Sequence, residues 1–414
     1  MHRMCPPRRR PTRLLRSPAF AAVGATALLL GLSGAYPVLA VAGTGYVAGT
    51  ETRYVSSQFP ISGAAPVQQQ MAATRAVDPA AAAPAVLTPV GQPANTWATV
   101  ATLPGAVVHD VVFPTAFVGY AAAELGQVWK TTDGGTTWIK ILDRGFPYYF
   151  YGIDALSADR IVVSGFNDMN FHAIGAETDD GGKTWSPDQT FSSAGWADRI
   201  RFVGAAHGLA LSLISLHGPN AAWRSTSSHT WEENILDPNG GWFGDQFTLL
   251  TNLHAYASGI TFCASATAGA SWACRPSIDE VFDGPTEFVN DTDGWVGGGE
   301  ILPNVAGWLH RTTDGGQTWS DRVLNTPWPI RQIHFLTPKV GWATGGNVFS
   351  HVGGIYFTND GGQTWVQDLD TGTEVGSCAD HPSGAGQTTV WCIGFSVGAT
   401  GFSSSVYRTT VVNP

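Results

Sequence analysis

Four aspartates are the residues of this chain whose chemistry could support catalysis: Asp110, Asp154, Asp168 and Asp245. Two carboxyl groups at a set separation can share the roles of general acid and of base or nucleophile. None of the four lies in a recognisable catalytic motif, and the sequence contains no phosphate-binding loop. The sequence therefore favours binding over catalysis, with an enzyme as the alternative.

A second group of residues could bind a ligand without reacting with it. Aromatic side chains precede or begin several predicted strands: Tyr148, Tyr149, Tyr151, Trp196, Trp242 and Trp328. Aromatic faces stack on sugars and anchor protein partners, but they also fill gaps between packed elements, so both interpretations stay open. His109 and Arg331 begin further predicted strands, where they could add a polar surface or simply meet water at the rim.

The cysteines predict two disulfides and no metal site. Cys5 lies in a predicted signal sequence, and the other four form two close pairs, Cys263 with Cys274 and Cys378 with Cys392. An even number of cysteines in an exported chain favours disulfides, with buried free thiols as the alternative. The spacing matches no zinc motif, and we predict neither a metal nor a cofactor.

A repeat of about 40–50 residues must position these side chains. Four octamers are nearly identical, namely 131–138 (TTDGGTTW), 178–185 (TDDGGKTW), 312–319 (TTDGGQTW) and 358–365 (TNDGGQTW), and they contain Asp133, Asp180, Asp314 and Asp360. Degraded copies end at Trp231 and Trp272, and an earlier tryptophan stands at 97. Glycine supplies the positive φ of a tight turn, and the aspartate can accept backbone hydrogen bonds within it, so the octamer is predicted to be structural.

The octamer resembles the Asp-box, or BNR, repeat of sialidases, sortilin-type receptors, some xyloglucanases and photosystem II stability/assembly factors. A second pattern, F-x5-G followed by a large apolar residue, occurs at Phe202–Gly208, Phe288–Gly294 and Phe335–Gly341. With that pattern, the chain is most similar to the assembly-factor group over roughly residues 94–414. The resemblance implies a β-propeller and a binding or assembly role. The aromatic-Arg-Ile-Pro run of sialidases is absent, and a glycoside hydrolase or a lectin-like carbohydrate binder remains the alternative.

The repeat predicts an all-β fold, a seven-bladed propeller of four-stranded antiparallel blades. Each octamer should join the third and fourth strands of a blade. The seventh blade then lacks a fourth strand, because residues 407–410 resemble the strand that precedes an octamer. The segment 95–100 should complete that blade and close the ring, which removes an exposed sheet edge. The cysteine pairs should lie on the third and fourth strands of blade four and on the first two strands of blade seven.

The N-terminal region has a different composition. Residues 1–42 are predicted to be a signal peptide, with an uncleaved membrane anchor as the alternative. Residues 43–93 are predicted to be an Ala/Pro-rich linker without a hydrophobic core. The first 42 residues contain six arginines and no acid, so the rest of the chain carries 16 basic and 32 acidic residues. This acidity argues against nucleic-acid binding. We expect a secreted, periplasmic or cell-envelope protein whose partner is a protein or a glycan, with membrane contact only through an uncleaved N-terminus.

Overall fold

The fold was analysed in a computed structural model of the chain. It describes residues 95–412 apart from 193–195, 205–206, 212–219, 228–229, 238–242, 260, 277–283, 301–305, 348–349 and 399–400. The predicted signal peptide, the predicted linker and Trp242 lie outside the described residues. The described residues form 28 strands and no helix.

The strands form seven sheets of four antiparallel strands, which confirms the predicted propeller. Blade 1 contains β2 (Val108–Val112), β3 (Gly119–Ala123), β4 (Gln127–Thr131) and β5 (Ile139–Asp143). Blade 2 contains β6 (Tyr148–Ala155), β7 (Ile161–Asn167), β8 (His172–Thr178) and β9 (Gln189–Ser192). Blade 3 contains β10 (Arg199–Val203), β11 (His207–Leu211), β12 (Asn220–Ser227) and β13 (Thr230–Asp237). Blade 4 contains β14 (Phe243–Leu249), β15 (Ala255–Gly259), β16 (Thr261–Ser265) and β17 (Ala273–Pro276).

The remaining blades follow the same order. Blade 5 contains β18 (Thr286–Phe288), β19 (Gly294–Glu300), β20 (Ala306–Thr312) and β21 (Leu324–Thr326). Blade 6 contains β22 (Ile330–Phe335), β23 (Gly341–Asn347), β24 (Val352–Thr358) and β25 (Val366–Asp370). Blade 7 contains β26 (Glu374–Gly384), β27 (Gln387–Gly398), β28 (Gly401–Val412) and, from the start of the propeller, β1 (Ala98–Pro104).

The ring closes where the sequence predicts, because β1 pairs antiparallel with β28 as the fourth strand of blade 7. The carboxylate of Asp368, on the last strand of blade 6, binds the residues that immediately precede β1. It accepts hydrogen bonds from the backbone nitrogen of Asn95 at 2.6 Å and from Trp97 Nε1 at 2.6 Å. The closing strand is therefore bonded to its own blade and to the preceding one.

The second sequence pattern has a steric cause. In each F-x5-G pair, the phenylalanine ring lies directly over the glycine. A Cβ atom added at Gly294 would lie 2.5 Å from the Phe288 ring, and one at Gly341 would lie 2.5 Å from Phe335. The aromatic residue after the glycine then packs on the next blade, as Trp295 does on Phe335 with ring centroids 3.6 Å apart. Only glycine leaves room for the ring that joins successive blades.

The aspartate turns join the third and fourth strands, as predicted. Asp133 Oδ1 accepts hydrogen bonds from the backbone nitrogens of Thr136 at 3.0 Å and Thr137 at 2.9 Å. The Thr137 hydroxyl donates to Asp133 Oδ2, and these bonds outweigh the little burial there to lower the pKa of Asp133 to about 2. The second glycine of each turn packs on the preceding blade, as Gly362 does against Trp295. Asp180, Asp314 and Asp360 accept equivalent bonds within their own turns.

Both predicted disulfides are present. Cys263–Cys274 links β16 to β17 within blade 4, and Cys378–Cys392 links β26 to β27 within blade 7. In each case the two cysteines are direct partners across antiparallel strands. The disulfides therefore fasten neighbouring strands of one blade and do not join different blades.

Candidate functional site

The first strands of successive blades contact each other in a closed ring around the central channel. The channel is crossed by ion pairs between distant parts of the chain. Asp110 on β2 is completely buried and lies 2.7 Å from Arg199 Nη1 and 2.9 Å from Arg201 Nη1, both on β10. Ser377 on β26 donates to the same carboxylate at 2.9 Å. Blades 1, 3 and 7 are thus joined across the centre of the ring.

The guanidinium groups dominate the electrostatics of this contact. Burial alone would raise the pKa of Asp110, but Arg199 and Arg201 outweigh it and lower the pKa to about 2. Arg199 also donates to the backbone oxygen of His109 at 3.0 Å. Because the carboxylate is charged, fully paired and out of reach of solvent, Asp110 is poorly placed to act as a catalytic acid.

A second group of polar residues lies on the first strands of blades 4 to 7. Gln246 on β14 donates to the backbone oxygen of Ile333 at 2.7 Å and to Glu287 Oε2 at 3.0 Å. Burial raises the pKa of Glu287 to about 7 although His334 and Arg201 oppose the shift. His334 Nε2 lies 3.0 Å from Asp380 Oδ1. Gln246 thus links blade 4 to the backbone of the non-adjacent blade 6. Because the polar groups of the channel bond to each other, ligand contacts are expected on a face of the ring.

The two faces differ because the strands are antiparallel. The aspartate turns lie on one face, which we call the box face. The loops that lead from one blade to the next lie on the other, which we call the junction face. On this face, β-bulges in three first strands leave His109, Tyr151 and Arg331 outside the regular pairing. Bulges redirect side chains, so these residues occupy special positions that the sequence repeat does not reveal.

Four aromatic rings, Tyr149, Tyr151, Phe166 and Trp196, form the junction-face cluster. Phe166 is buried at its centre, and its ring centroid lies 5.0 Å from Tyr149, 5.7 Å from Tyr151 and 4.7 Å from Trp196, all in stacked orientations. The other three rings are partly exposed. The structure therefore brings together three of the predicted aromatic residues around Phe166, which sequence reasoning missed.

Pairing between β6 and β7 explains how Phe166 enters the cluster. Phe166 is the direct partner of Tyr149 across the two strands. Its neighbour Gly165 lies so close to β6 that an added Cβ would be 1.8 Å from the Tyr149 backbone oxygen. The only sequence signal of the contact between Phe166 and Tyr149 is the run G-F-N at 165–167. It cannot be interpreted without knowing the register between β6 and β7.

The remaining predicted residues have different surroundings. The Arg144 guanidinium lies over the Tyr148 ring at 5.6 Å from its centroid. Trp328 is only 2% exposed and packs against Tyr356 between blades 5 and 6, so its ring is part of the core and we leave it out of the site. Arg331 Nε lies 3.4 Å from Glu374 Oε1. Asp245 lies on β14, with its side chain outside the described residues.

Acidic groups flank the junction-face cluster. His109 packs edge-on against Tyr151 with ring centroids 4.3 Å apart, and its Nε2 lies 3.5 Å from Glu124 Oε1. Asp168, in the loop after β7, is partly buried, and burial raises its pKa. Burial, helped by Glu124 and Asp168, raises the pKa of Tyr149 to about 12. The phenol is therefore held protonated, which suits a hydrogen-bond donor and not a nucleophile.

Exposed apolar side chains extend this surface. Phe146 is 55% exposed and Met169 is 71% exposed. Their loops meet where the backbone nitrogen of Asp168 donates to the backbone oxygen of Pro147 at 2.9 Å. Together with the cluster, they give an aromatic and apolar surface with carboxylates at its edge, as is typical of sites that hold a partner by a few large anchors.

The described part of the chain contains no group of three or more His, Cys, Asp or Glu residues arranged to hold a metal ion. Within the same residues, no helix has the length and hydropathy needed to span a bilayer.

Sequence comparison finds a partial relative. No protein-family profile matches the chain. The photosystem II assembly lipoprotein Ycf48 of a Synechococcus strain is 34% identical over 145 residues, which are 34% of this chain and 40% of that protein. The aligned part thus spans less than half of the relative's length.

Solved structures with the same architecture come from several functional classes. A YCF48 bound to D1 peptide is 18% identical with a TM-score of 0.55, covering 77% of this chain and 98% of that one. YCF48 from Cyanidioschyzon merolae is 16% identical with a TM-score of 0.52, covering 76% and 98%. The GH74 xyloglucanase from Xanthomonas campestris is 16% identical with a TM-score of 0.52, but only 53% of it is covered, against 72% of this chain. At these identities the structural likeness shows the fold alone. The chain is thus similar to the Ycf48 photosystem II assembly proteins, in sequence over 145 residues and in fold over almost the whole of a solved YCF48.

Proposed function

We propose that this protein is a non-catalytic assembly-type propeller that binds a polypeptide segment of a partner protein on its junction face. The observation that carries the proposal is the junction-face cluster, in which Tyr149, Tyr151 and Trp196 are partly exposed around buried Phe166. Rings held rigid by stacking lose little entropy on binding, which is why aromatic residues dominate the energetics of interfaces. A solved YCF48 bound to D1 peptide supports a peptide as the class of ligand.

The state of the acidic groups supports a binding role. A glycosidase needs two acids on opposite sides of a bound sugar, one of them able to give up its proton. Asp110 is buried and paired with two arginines, and Asp154 accepts a hydrogen bond from the backbone nitrogen of Phe202 at 2.6 Å. The raised pKa of Tyr149 is the opposite of what a tyrosine nucleophile requires.

We place the function outside the cytoplasm. Both disulfides close within single blades, and disulfides persist in oxidising compartments. The arginine-rich and then apolar N-terminal sequence supports export. Cell fractionation, with free-thiol labelling of the protein from each fraction, tests this. Reduced protein that remains with the cytosol would contradict it.

The test of function is peptide selection on the full chain. A displayed library of random 12-residue peptides, together with a D1-derived peptide, is screened against the protein, and binders are measured by fluorescence anisotropy. Tyr149→Ala and Trp196→Ala should each weaken binding at least about tenfold, because each removes an aromatic anchor.

Phe117→Ala is the matched control, because Phe117 is 68% exposed but lies on the box face beside Gly134. It should leave peptide affinity unchanged. Equal losses in all three variants, or no selected peptide at all, would contradict the proposal. Retention on a glycan array with loss in Trp196→Ala would favour the lectin-like alternative, and turnover of a glycosidase panel would favour the enzyme.

A further inference from the structure

We infer that the junction-face cluster recognises a cationic side chain, arginine in preference to lysine, on the bound polypeptide. The inference rests on the proposed function and names the chemistry of the ligand at that same site. It follows from what surrounds the rings: stacked aromatic faces, carboxylates at their edge, and one carboxylate that no cation among the described residues neutralises.

The first observation concerns Asp168. Among the described residues its carboxylate makes no ion pair and no hydrogen bond, whereas the other acids near the cluster are engaged. Glu124 lies near His109, and Asp188 pairs with Arg144. Asp168 follows Asn167, the strand partner of Tyr148, and stands two residues after Phe166, which places it beside the cluster. Its charge also contributes to the raised pKa of Tyr149. A partly buried carboxylate without a partner is unfavourable, and a ligand cation would relieve it.

The second observation is the geometry of the rings. Tyr149, Tyr151 and Phe166 are almost parallel, with Tyr151 and Phe166 inclined by 2° and Tyr149 and Phe166 by 14°. A planar guanidinium can stack on such a face while its N–H groups point sideways toward a carboxylate. A lysine ammonium is a compact point charge that cannot stack in this way. The cluster therefore fits arginine better than lysine.

The third observation is the charge balance. After the arginine-rich first 42 residues, acids outnumber basic residues two to one, with 32 against 16. Such a surface attracts basic segments and repels acidic ones before contact. The cation in the neighbouring loop is already in use, because Arg144 pairs with Asp188 and covers Tyr148. The arginine that completes the site is therefore expected from the partner.

The test measures one side chain at a time. The full chain is labelled with 5-fluorotryptophan, and the Trp196 fluorine resonance is assigned from its absence in Trp196→Phe. The probes are N-acetyl-arginine amide and N-acetyl-citrulline amide, which have nearly the same shape but differ in charge. Arginine amide should shift the Trp196 resonance with an affinity at least about tenfold higher than citrulline amide. Asp168→Asn should remove most of that difference.

Asp321→Asn is the control for the change in net charge, because Asp321 is exposed and follows the aspartate turn of blade 5 on the box face. It should leave the preference intact. Equal shifts with the two probes, or a Trp196 resonance that neither probe moves, would overturn the inference. Selected peptides without enrichment in arginine would do the same while leaving polypeptide binding in place. A response to arginine amide without any selected peptide would instead count against the proposed function.

Discussion

The central channel joins side chains from several blades, whereas the junction-face cluster combines three rings of blade 2 with Trp196 from the segment that leads to blade 3. The two regions also differ in how their polar groups are bonded. In the channel, Asp110 has two guanidinium partners and a hydroxyl donor, all supplied by the protein itself. In the cluster, the rings stack on each other while Asp168 has no partner among the described residues and the outer rings remain partly exposed. A buried polar group that is bonded on every side holds a fold together, whereas one that lacks a partner at a surface is available to a ligand. The difference gives the channel a structural role and supports the recognition role proposed for the junction face.

The strongest challenge to this division is Asp110→Ala. Removing the shared carboxylate leaves Arg199 and Arg201 without their ion-pair partner in the channel, which should cost about 3–5 kcal/mol of unfolding free energy. Urea denaturation followed by tryptophan fluorescence measures the loss, with Asp321→Ala as an exposed control. A loss below about 1 kcal/mol would mean that the channel network does not hold the ring together.

Two tryptophans that precede blades in the same way sharpen the comparison. Trp328→Ala should cost about 3–4 kcal/mol, because it empties a packed space between blades 5 and 6. Trp196→Ala should cost only about 1 kcal/mol while it weakens peptide binding. Both are measured by urea denaturation, and the anisotropy assay is repeated at equal folded fractions. Similar stability losses in the two variants would break the assignment of Trp196 to the surface.

Glu287 gives a pH-dependent effect confined to the channel. Burial raises its pKa to about 7, so the fold prefers the protonated form. Stability from this group is fully present below its unfolded pKa of about 4.5 and is lost as the pH rises through 7. Glu287→Gln should therefore stabilise the protein by on the order of 1–3 kcal/mol at pH 8 and have little effect at pH 4.5. Thermal unfolding at the two pH values decides it. A variant that is destabilised at pH 8 would show that the charged form is the one that the fold needs.

The smallest expected change in unfolding free energy concerns Asp168, beside the junction-face cluster. Asp168→Asn should change the unfolding free energy by less than about 0.5 kcal/mol, because the carboxylate bonds to nothing within the described fold. Since burial raises the pKa of Asp168, any change above neutral pH should be stabilising. The same denaturation assay measures it. A clear loss of stability would place Asp168 in the scaffold and not in the binding surface.

The repeat predicts the architecture but not the site. Ring closure could be predicted because residues 407–410 match the strand that precedes an aspartate turn, and the cysteine positions follow from the same map. The bulges at His109 and Tyr151 could not, because a bulge depends on the register of both strands. The ion pair between Asp110 and Arg199 joins two first strands across the ring, a contact that no local pattern encodes. Trp196 and Trp328 look alike in sequence, and only their neighbours decide which one is buried.

Closure by β1 also sets an order of events in folding. The Thr409 hydroxyl donates to the backbone oxygen of Thr96, two residues that are 313 positions apart. Strand β1 therefore stays unpaired until β28 has been synthesised. Its docking comes late because such a long loop is slow to close. Cys378 and Cys392 are separated by only 14 positions, so their hairpin can be fastened beforehand. The first three strands of blade 7 can therefore form before β1 docks on them. A chain that stops folding at this stage exposes the unpaired edge of β28 to other molecules.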